Sequence, residues 1–420
     1  MTIDIPASSQ TDHHQVPVTA SVDAWRSAIA EAGAPPAIAI AGSRGKSTVA
    51  VLLDAMLIAD GQRTARWTAA GVTIAGRRQR GELVPWRKAL AMIESRDLDA
   101  AIQVLDWDTI HAVGLPESLF PVTILTNLCA NNDTCMARPD TVRALAALSG
   151  VLKGARPDGV LVVNADDSTL ITSEVEARER QLVVGIRRET PYLRRHLDRG
   201  GAGAWVEDGW ILFGTHDDHR RMVEVNAVPT TAQGALSFAI TNALLALCAA
   251  RAIGVTEQSI IGTLHAFQSG DADLPASFNM YTVGGATAVA DVSSPSWFLR
   301  SALRGLSHLA AERRIRVVGV AGDVPRDDLV ETGRLLGRGA DILIIHSEDQ
   351  DPERTALVLQ GAAANDVPPL VVHAKSESSA MTSLVKQLRE GDLAYVIADD
   401  ASLVLRRLAA AANRFGNDTI

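Results

Sequence analysis

A chain of 420 residues with 47% hydrophobic residues is long enough for two or three domains, each with a buried core. The net charge of −9, with acidic and basic residues interspersed, argues against a nucleic-acid partner. Three cysteines without a C-x-x-C pair argue against a disulfide scaffold and against structural zinc.

The N-terminal region is polar, and we expect residues 1–21 to form a disordered tail. It has neither the basic segment nor the apolar core of a secretory signal, and no run of about 18 apolar residues occurs in the chain. These features predict a cytoplasmic protein without a membrane span. A short helix is predicted over 22–32.

The stretch AIAIAGSRGKSTVAVLLDAM, residues 37–56, predicts a buried strand, a glycine turn and a helix. Gly42 and Gly45 allow backbone N–H groups to face an anion, and the helix start adds positive potential. Lys46 would place a charge at the β- and γ-phosphates of a nucleotide, and the Ser47 hydroxyl is suited to bind Mg²⁺. The stretch therefore predicts a phosphate loop formed by Gly42, Ser43, Arg44, Gly45, Lys46, Ser47 and Thr48.

The spacing of this loop departs from the common G-x-x-x-x-G-K-[ST] pattern. That pattern requires glycine at position 40, where the chain has isoleucine. The alternative interpretation is a helix start that residues 45–47 merely cap.

The rest of the first half alternates apolar runs with helical patterns. The runs 100–105, 121–126, 159–164 and 181–186, with helices between them such as 140–152, predict a parallel sheet covered on both faces. Asp208-Gly209 within 204–214 predicts a type I′ hairpin. A long apolar helix is predicted over 235–254.

The second half predicts a smaller doubly wound domain. A hairpin over 280–292, turning at Gly284-Gly285, comes first. Helices then alternate with strands, the helices over 297–311, 326–338, 353–364, 376–389 and 401–413 and the strands over 315–320, 341–346, 369–373 and 393–398. The Gly, Asp and Pro residues of 268–277 mark the boundary, which divides the chain into domains over 22–274 and 275–420.

GSRGKST resembles the phosphate loop of the Mur ligase superfamily, usually G-T-x-G-K-[ST]-[ST], and RGKSTV is especially similar to poly-γ-glutamate capsule synthetase. Further segments resemble a T-N strand end leading to NADD (126–167), an asparagine-bearing helix (235–255), the opening of the C-terminal domain (290–303) and a later loop and strand (317–349). The resemblance covers nearly the whole chain after residue 22. We expect the family's N-terminal substrate domain to be missing.

The resemblance implies an α/β fold with a central P-loop ATP-binding domain and a smaller C-terminal Rossmann-like domain. It implies an ATP-dependent carboxylate–amine ligase with ATP and Mg²⁺ as cofactors: ATP phosphorylates a carboxylate, an amine attacks the acyl phosphate, and an amide forms. The implied partners are small-molecule or peptide acids and amines, and a homo- or hetero-oligomer is possible.

The resemblance also assigns roles to single residues. Lys46 would stabilise the transferring phosphoryl group, with Mg²⁺ on Ser47. Asn242 would contact the base, and Asp291 would contact the ribose from the C-terminal domain. Arg326 would approach the γ-phosphate or the incoming substrate.

The chain departs from the family at its metal ligands. The family's strand-end glutamate is absent, and Gln103, Asp106 and Asp108 are the candidates to replace it; Asp106 retains a carboxylate. Asn132 stands where the family has histidine, and the adjacent Asp133 is a second metal candidate.

Two further family motifs are altered, at 276–278 and 293–295. Several losses together leave a second hypothesis open: a catalytically reduced, nucleotide-binding subunit that supports a partner ligase. A P-loop kinase or NTPase without amide chemistry is a third.

Other clusters of polar residues have two interpretations each. His216 and His219 in THDDHRR (215–221) fit either a zinc site or a solvated turn. The strand-end aspartates at 166–167 and 399–400 fit either a ligand site or helix caps.

Overall fold

The computed structural model describes residues 37–128, 139–320, 326–347 and 351–416. The predicted tail over 1–21 and helix over 22–32 lie outside these ranges. No helix within them is both long and apolar enough to cross a membrane.

Eleven strands form the first sheet in the order β11-β10-β9-β8-β7-β6-β1-β5-β2-β3-β4. They are β1 (Ala37–Ala41), β2 (Thr64–Thr68), β3 (Gly71–Ile74), β4 (Arg77–Arg78), β5 (Ala100–Leu105), β6 (Phe120–Leu125), β7 (Ala155–Asn164), β8 (Gln181–Arg187), β9 (Ala202–Glu207), β10 (Trp210–Gly214) and β11 (His219–Glu224). The neighbouring strands β9, β8, β7, β6, β1, β5 and β2 are parallel to one another. A short antiparallel ribbon completes each edge, with β10 and β11 at one edge and β3 and β4 at the other. The predicted parallel sheet is confirmed.

Helices cover both faces of this sheet and give it two apolar cores. They are α1 (Lys46–Ala59), α2 (Leu83–Glu94), α3 (Trp107–Val113), α4 (Pro139–Gly154), α5 (Ser173–Glu176), α6 (Pro191–Asp198), α7 (Ser237–Ala252) and α8 (Glu257–Ala266). One face carries α1, α7 and α8, and every residue of α7 from 239 to 250 is buried. An apolar helix of this kind belongs inside a protein, where it supports the neighbouring phosphate-loop helix α1.

Six strands form the second sheet in the order β12-β13-β17-β14-β15-β16, all parallel except β12. They are β12 (Ser277–Val283), β13 (Ala286–Val292), β14 (Arg313–Gly319), β15 (Ile342–His346), β16 (Leu370–Ala374) and β17 (Asp392–Ala398). The helices of this domain are α9 (Ser296–Ser307), α10 (Leu329–Gly337), α11 (Pro352–Ala363), α12 (Glu377–Gln387) and α13 (Ala401–Gly416). This arrangement is the predicted doubly wound domain.

Both predicted hairpins are present. Asp208 and Gly209 have φ of 52° and 78°, and Gly284 and Gly285 have φ of 56° and 77°. Positive φ at both central residues is what a type I′ turn requires. Sequence analysis did not predict the ribbon β2–β4 or helix α2.

The segment between α8 and β12 links the two sheets, and it contains the predicted boundary. Ala276 and Phe278 have φ of 46° and 61°, which is unusual for residues other than glycine. Arg66 of β2 contacts the linker through Asp273 and contacts the buried Asp54 of α1. The linker is therefore joined to the first domain beside the phosphate-loop helix.

Candidate nucleotide site

The phosphate loop, residues 42–48, connects the end of β1 to the start of α1. Gly42 and Gly45 have φ of +154° and +83°, where side chains are unfavourable. A Cβ at Gly42 would lie 1.8 Å from Thr126 Oγ1, and one at Gly45 would lie 2.4 Å from Asn242 Oδ1. Backbone conformation and close neighbours both require glycine at these two positions.

The start of α1 faces outward from the loop and offers N–H groups. The carbonyl of Gly45 accepts the first hydrogen bond of the helix, from Val49 N at 2.9 Å. The N–H groups of residues 45–48 therefore precede the helical hydrogen-bond ladder. The first turn of α1 has no acidic residue, so the positive end of the helix is not neutralised there. This geometry suits a phosphate group.

Residues that follow β6 hold the loop in place. Thr126 Oγ1 and Asn127 Nδ2 donate to the carbonyl of Arg44 at 2.7 and 3.0 Å. In return, Arg44 N donates to Asn127 Oδ1 at 3.0 Å. Ser43 N donates to the Asn127 carbonyl at 2.8 Å, and Trp107 Nε1 donates to Ser43 Oγ at 3.2 Å. The loop backbone is fixed by the central strands before any ligand arrives.

Lys46 bends back over the loop. Its Nζ donates to the carbonyl of Gly42 at 2.6 Å. Burial is the main cause that lowers the pKa of Lys46 to about 8; Arg44 acts in the same direction, and the carboxylates of Asp106 and Asp108 oppose the change. The ammonium group is held beside the loop in an environment that favours the approach of an anion.

A cavity of about 300 Å³ lies where the phosphate loop meets the second domain. We call it the interdomain cavity. Residues of both domains line it, among them Arg44, Gly45, Thr48 and Asn242 of the first and Phe278, Asp291, Phe298, Arg300 and Arg304 of the second. Arg44, Gly45 and Thr48 of the predicted loop thus border one cavity with Asn242 and Asp291, whereas Lys46 and Ser47 are not among its lining residues.

Asp291 brings a carboxylate into this cavity from β13. It is only 4% exposed, and the hydroxyl of the fully buried Tyr395 donates to its Oδ2 at 2.8 Å. Burial raises the pKa of Asp291 to about 6, while Tyr395, Arg44 and the backbone N–H of Val292 favour its charged form. The group is therefore mainly a carboxylate at neutral pH.

Aromatic rings join the two domains at the cavity wall. Phe238 of α7 lies 5.2 Å from Phe278 and 5.5 Å from Phe298, measured between ring centroids. The guanidinium of Arg44 lies over the Phe298 ring, 5.3 Å from its centroid. A flat heterocycle and its sugar fit a wall of this composition.

The candidate metal ligands are only partly assembled. Ser47 lies in the first turn of α1, and Asp106 is the N-cap of α3, where its carboxylate accepts from Thr109 N and Oγ1 at 3.1 Å each. Among the residues described, no group of three His, Cys, Asp or Glu side chains surrounds a common point. Asn132 and Asp133 lie outside the described residues. A magnesium ion that takes most of its ligands from phosphate oxygens and water needs only one or two protein groups, and the Ser47 hydroxyl and the Asp106 carboxylate are oxygen ligands of the kind it prefers.

The other residues considered as metal ligands have structural surroundings. Gln103, one of the three candidates for the strand-end position, is 3% exposed in the central strand β5. Asp108 lies 3.7 Å from Arg143. Residues 215–221 turn from β10 into β11, and the described part of the chain holds no metal cluster there.

Arg326 lies outside the interdomain cavity. It begins a 3-10 turn, Arg326–Asp328, and its exposed guanidinium is paired with Glu353. Its role near the γ-phosphate stays a prediction.

The strand-end aspartates were predicted either to form a ligand site or to cap helices, and the structure places them in different surroundings. Asp166 and Asp167 line the cavity, but each also holds backbone in place: Asp166 accepts from Ile186 N at 2.7 Å and Asp167 from Leu128 N at 2.7 Å. Asp400 caps α13 by accepting from Leu403 N at 3.0 Å.

Sequence reasoning missed several residues that build the site. Tyr395, Phe298 and the pair Arg300 and Arg304 were not singled out. Thr126 and Asn127 are polar residues directly after a buried strand, which is a signal for a site in a parallel sheet. The other residues sit on helices and strands whose sequences carry no local sign of their neighbours.

Comparison with known proteins supports the fold. No family model matches the chain. Cyanophycin synthetase from Nostoc sp. is 25% identical over 321 residues, covering 76% of this chain and 36% of the relative. The same enzyme from Synechocystis sp. is 22% identical, covering 89% and 44%. The chain thus spans roughly two fifths of the length of the curated relatives it matches.

Solved structures extend the likeness over almost the whole chain. FolC from E. coli, in complex with DHPP and ADP, has a TM-score of 0.63 at 16% identity and covers 93% of each chain. MurF ligase from Thermotoga maritima with ADP has a TM-score of 0.61 at 16% identity, covering 96% of this chain and 86% of that one. A folylpolyglutamate/dihydrofolate synthase from Yersinia pestis, with AMPPNP and Mn, has a TM-score of 0.63 at 14% identity and covers 93% and 92%. The predicted two-domain fold is confirmed.

Proposed function

We propose that this chain, which has the fold of the Mur ligase superfamily, is an ATP-dependent ligase that joins a carboxylate to an amine. One observation carries the proposal: the phosphate loop and the second domain's Asp291 border one interdomain cavity. An ATP site built from both domains suits a reaction that must be shielded from water until both substrates are present.

In the proposed complex, ATP lies across the loop with its base and ribose in the cavity. The N–H groups of residues 45–48 receive the phosphate oxygens, and Lys46 Nζ leaves the Gly42 carbonyl for the β- and γ-phosphates. Asn242 contacts the base and Asp291 the ribose. Ser47 and Asp106 would hold Mg²⁺, which would supply positive charge beside the phosphates.

The proposed reaction has two steps. A substrate carboxylate oxygen attacks the γ-phosphorus, the bond to ADP breaks, and an acyl phosphate forms. An amine nitrogen then attacks the carbonyl carbon, phosphate leaves, and the nitrogen loses a proton to give an amide. Lys46 serves the first step by stabilising charge on the phosphoryl group in transit. Arg326 is the proposed contact for the incoming substrate, which requires its ion pair with Glu353 to open.

The substrates are proposed only by class, as small-molecule or peptide acids and amines. The cyanophycin synthetases are longer proteins, and the rest of their length has no counterpart in this comparison. We propose a cytoplasmic location. We also propose a homo- or hetero-oligomer, and the measured mass of the assembly distinguishes the two.

Phosphate release tests the proposal. A ligase releases phosphate from Mg-ATP only when an acid and an amine are both present, so a panel of amino acids and short acidic peptides is supplied singly and in pairs. We expect Lys46→Met to abolish release and the exposed Lys88→Met to leave it intact. Release without any acceptor would indicate a plain NTPase instead.

A second function is favoured by the metal ligands. Gln103, Asp106 and Asp108 are present at the strand end where the family has a glutamate, and Asp106 is engaged as a helix cap. These features suit a catalytically reduced subunit that binds nucleotide and supports a partner ligase. Binding of Mg-AMPPNP without turnover of any pair would support this function. Absence of binding, measured by calorimetry, would refute both.

A further inference from the structure

Arg44 is the residue of the phosphate loop that reaches into the second domain. Its guanidinium donates to the carbonyl of Ser293 at 2.9 Å. It lies over the ring of Phe298, 5.3 Å from the centroid. It also faces the carboxylate of Asp291, which opposes the loss of its proton. The second domain thus surrounds this one side chain with a backbone acceptor, an aromatic face and a charge.

The backbone of Arg44 is held just as firmly by the first domain. Its carbonyl accepts hydrogen bonds from Thr126 and Asn127, and its N–H donates to Asn127, at distances of 2.7 to 3.0 Å. Because the backbone of Arg44 is fixed in one domain and its side chain in the other, a movement of either domain displaces the contacts of the other. The loop cannot shift without moving the guanidinium, and the second domain cannot rotate without withdrawing its partners.

The apolar contacts of this interface are less directional than those of Arg44. Phe238 packs against rings of the second domain, and Gly305 of α9 lies close to Leu236. Apolar contacts of this kind tolerate sliding, whereas a charged planar group needs its partners at fixed angles. Burial lowers the pKa of Arg44, and the carboxylate of Asp291 opposes this change.

We propose that Arg44 is a positioning residue that couples the occupancy of the phosphate loop to the placement of the second domain. Nucleotide bound to the loop fixes the backbone of Arg44, and thereby the domain that supplies Asp291 to the cavity. By linkage, a seated second domain strengthens nucleotide binding by the same factor. This coupling to nucleotide rests on the proposed function, whereas the contact between domains does not.

The distance between the domains tests the proposal without any catalytic assay. Spin labels are placed at Glu94→Cys in α2 and Lys386→Cys in α12, both exposed, after Cys129→Ser and Cys135→Ser; Cys248 is buried. We expect a single narrow distance distribution in the full chain, narrower still with Mg-AMPPNP. Arg44→Met is expected to broaden it and to remove the response to nucleotide, and Arg44→Lys to give an intermediate result.

Nucleotide affinity supplies the second readout. We expect Arg44→Met to raise the Kd of Mg-AMPPNP about tenfold, which corresponds to about 1.4 kcal/mol of lost coupling. The matched control is Arg188→Met, because Arg188 lies over the Trp205 ring at 5.5 Å entirely within the first domain. Phe298→Leu repeats the test if Arg44→Met does not fold.

The outcomes separate the two proposals. A broadened distribution without nucleotide binding in any variant would overturn the proposed function and leave the positioning contact standing. A distribution in Arg44→Met identical to that of the parent protein would overturn the inference, because the apolar contacts would then suffice. So would an equal change in Arg188→Met.

Discussion

At the scale of single residues, the two cations of the phosphate loop have different tasks. Arg44 is committed to the second domain, whereas Lys46 donates only to the carbonyl of Gly42 in the described structure. A ligand phosphate can outcompete a neutral carbonyl for an ammonium group, because an ionic hydrogen bond is stronger than one to a neutral acceptor. Lys46 is therefore the cation that is available to a nucleotide.

The depressed pKa of Lys46 predicts a pH-dependent affinity. With a pKa of about 8 in the free protein, Lys46 is charged at pH 6.5 and about half neutral at pH 8. A bound phosphate favours the charged form and raises this pKa, so binding at pH 8 takes up about half a proton and weakens as the pH rises further. Calorimetry of Mg-AMPPNP in buffers of different ionisation enthalpy measures this uptake.

The control for this measurement is Lys46→Met, which should lose the uptake. Lys88→Met should keep it, since Lys88 is exposed. Equal uptake in both variants would assign the proton to another group.

The roles of residues could be predicted from sequence only where the chemistry is local. Gly42, Gly45, Lys46 and Ser47 lie within six positions between a buried strand and a helix, so a phosphate site could be predicted from this one stretch. Tyr395 is 104 positions from the Asp291 it contacts, and no local pattern indicates that pairing.

At the scale of elements, the junction of β1 and α1 depends on glycine conformation. Gly45 and Gly61 lie near the two ends of α1 and have the same φ of +83°. A Cβ at Gly61 meets nothing within 4 Å, whereas a Cβ at Gly45 meets Asn242. Replacing each glycine by alanine therefore distinguishes two contributions to the loss of stability. One is the strain of a left-handed backbone, which both positions share, and the other is the clash with a close neighbour, which occurs only at Gly45.

We expect Gly61→Ala to cost about 1–2 kcal/mol, the strain of a left-handed alanine. Gly45→Ala should cost that amount plus about 1–3 kcal/mol for displacing the buried Asn242. It should also weaken nucleotide binding, which Gly61→Ala should not. Urea unfolding and calorimetry measure the two effects, and equal losses in both variants would contradict the assigned contact.

Elements with one clear hydrophobic period were predicted, and those without it were not. Strand β1 and helix α1 match their predicted positions because AIAIA is buried throughout and α1 buries the apolar residues that recur at helical spacing, Val49, Leu52, Leu53, Met56 and Leu57. The ribbon β2–β4 is short, and Arg66 and the arginines of β4 interrupt its apolar pattern. Arg66 occurs in a buried strand only because Asp54 and Asp273 neutralise it, and this long-range pairing is not visible in the sequence.

At the scale of the whole molecule, the same Arg66 pairs connect the phosphate-loop helix to the interdomain linker. Asp54 of α1 is buried, with its side chain 3% exposed, whereas Asp273 of the linker is 48% exposed. Thr64 also donates to Asp54. The two ion pairs therefore share one cation but differ in burial.

We expect Arg66→Met to destabilise the protein by about 3–5 kcal/mol, because it leaves the Asp54 carboxylate buried without a cation. Asp273→Asn should cost less than about 1 kcal/mol, since water compensates the exposed pair. Combining Arg66→Met with Asp54→Asn should recover part of the loss. Urea unfolding measures all three, and similar losses in the two single variants would refute the burial argument.

The left-handed backbone at Ala276 and Phe278 has a consequence for how far the two sheets separate. Alanine and phenylalanine have few alternative conformations once the linker holds them in this region, so the joint is stiffer than glycine would make it. The joint then limits how far the two sheets separate, so the contacts of Arg44 adjust the second domain over a small range of positions.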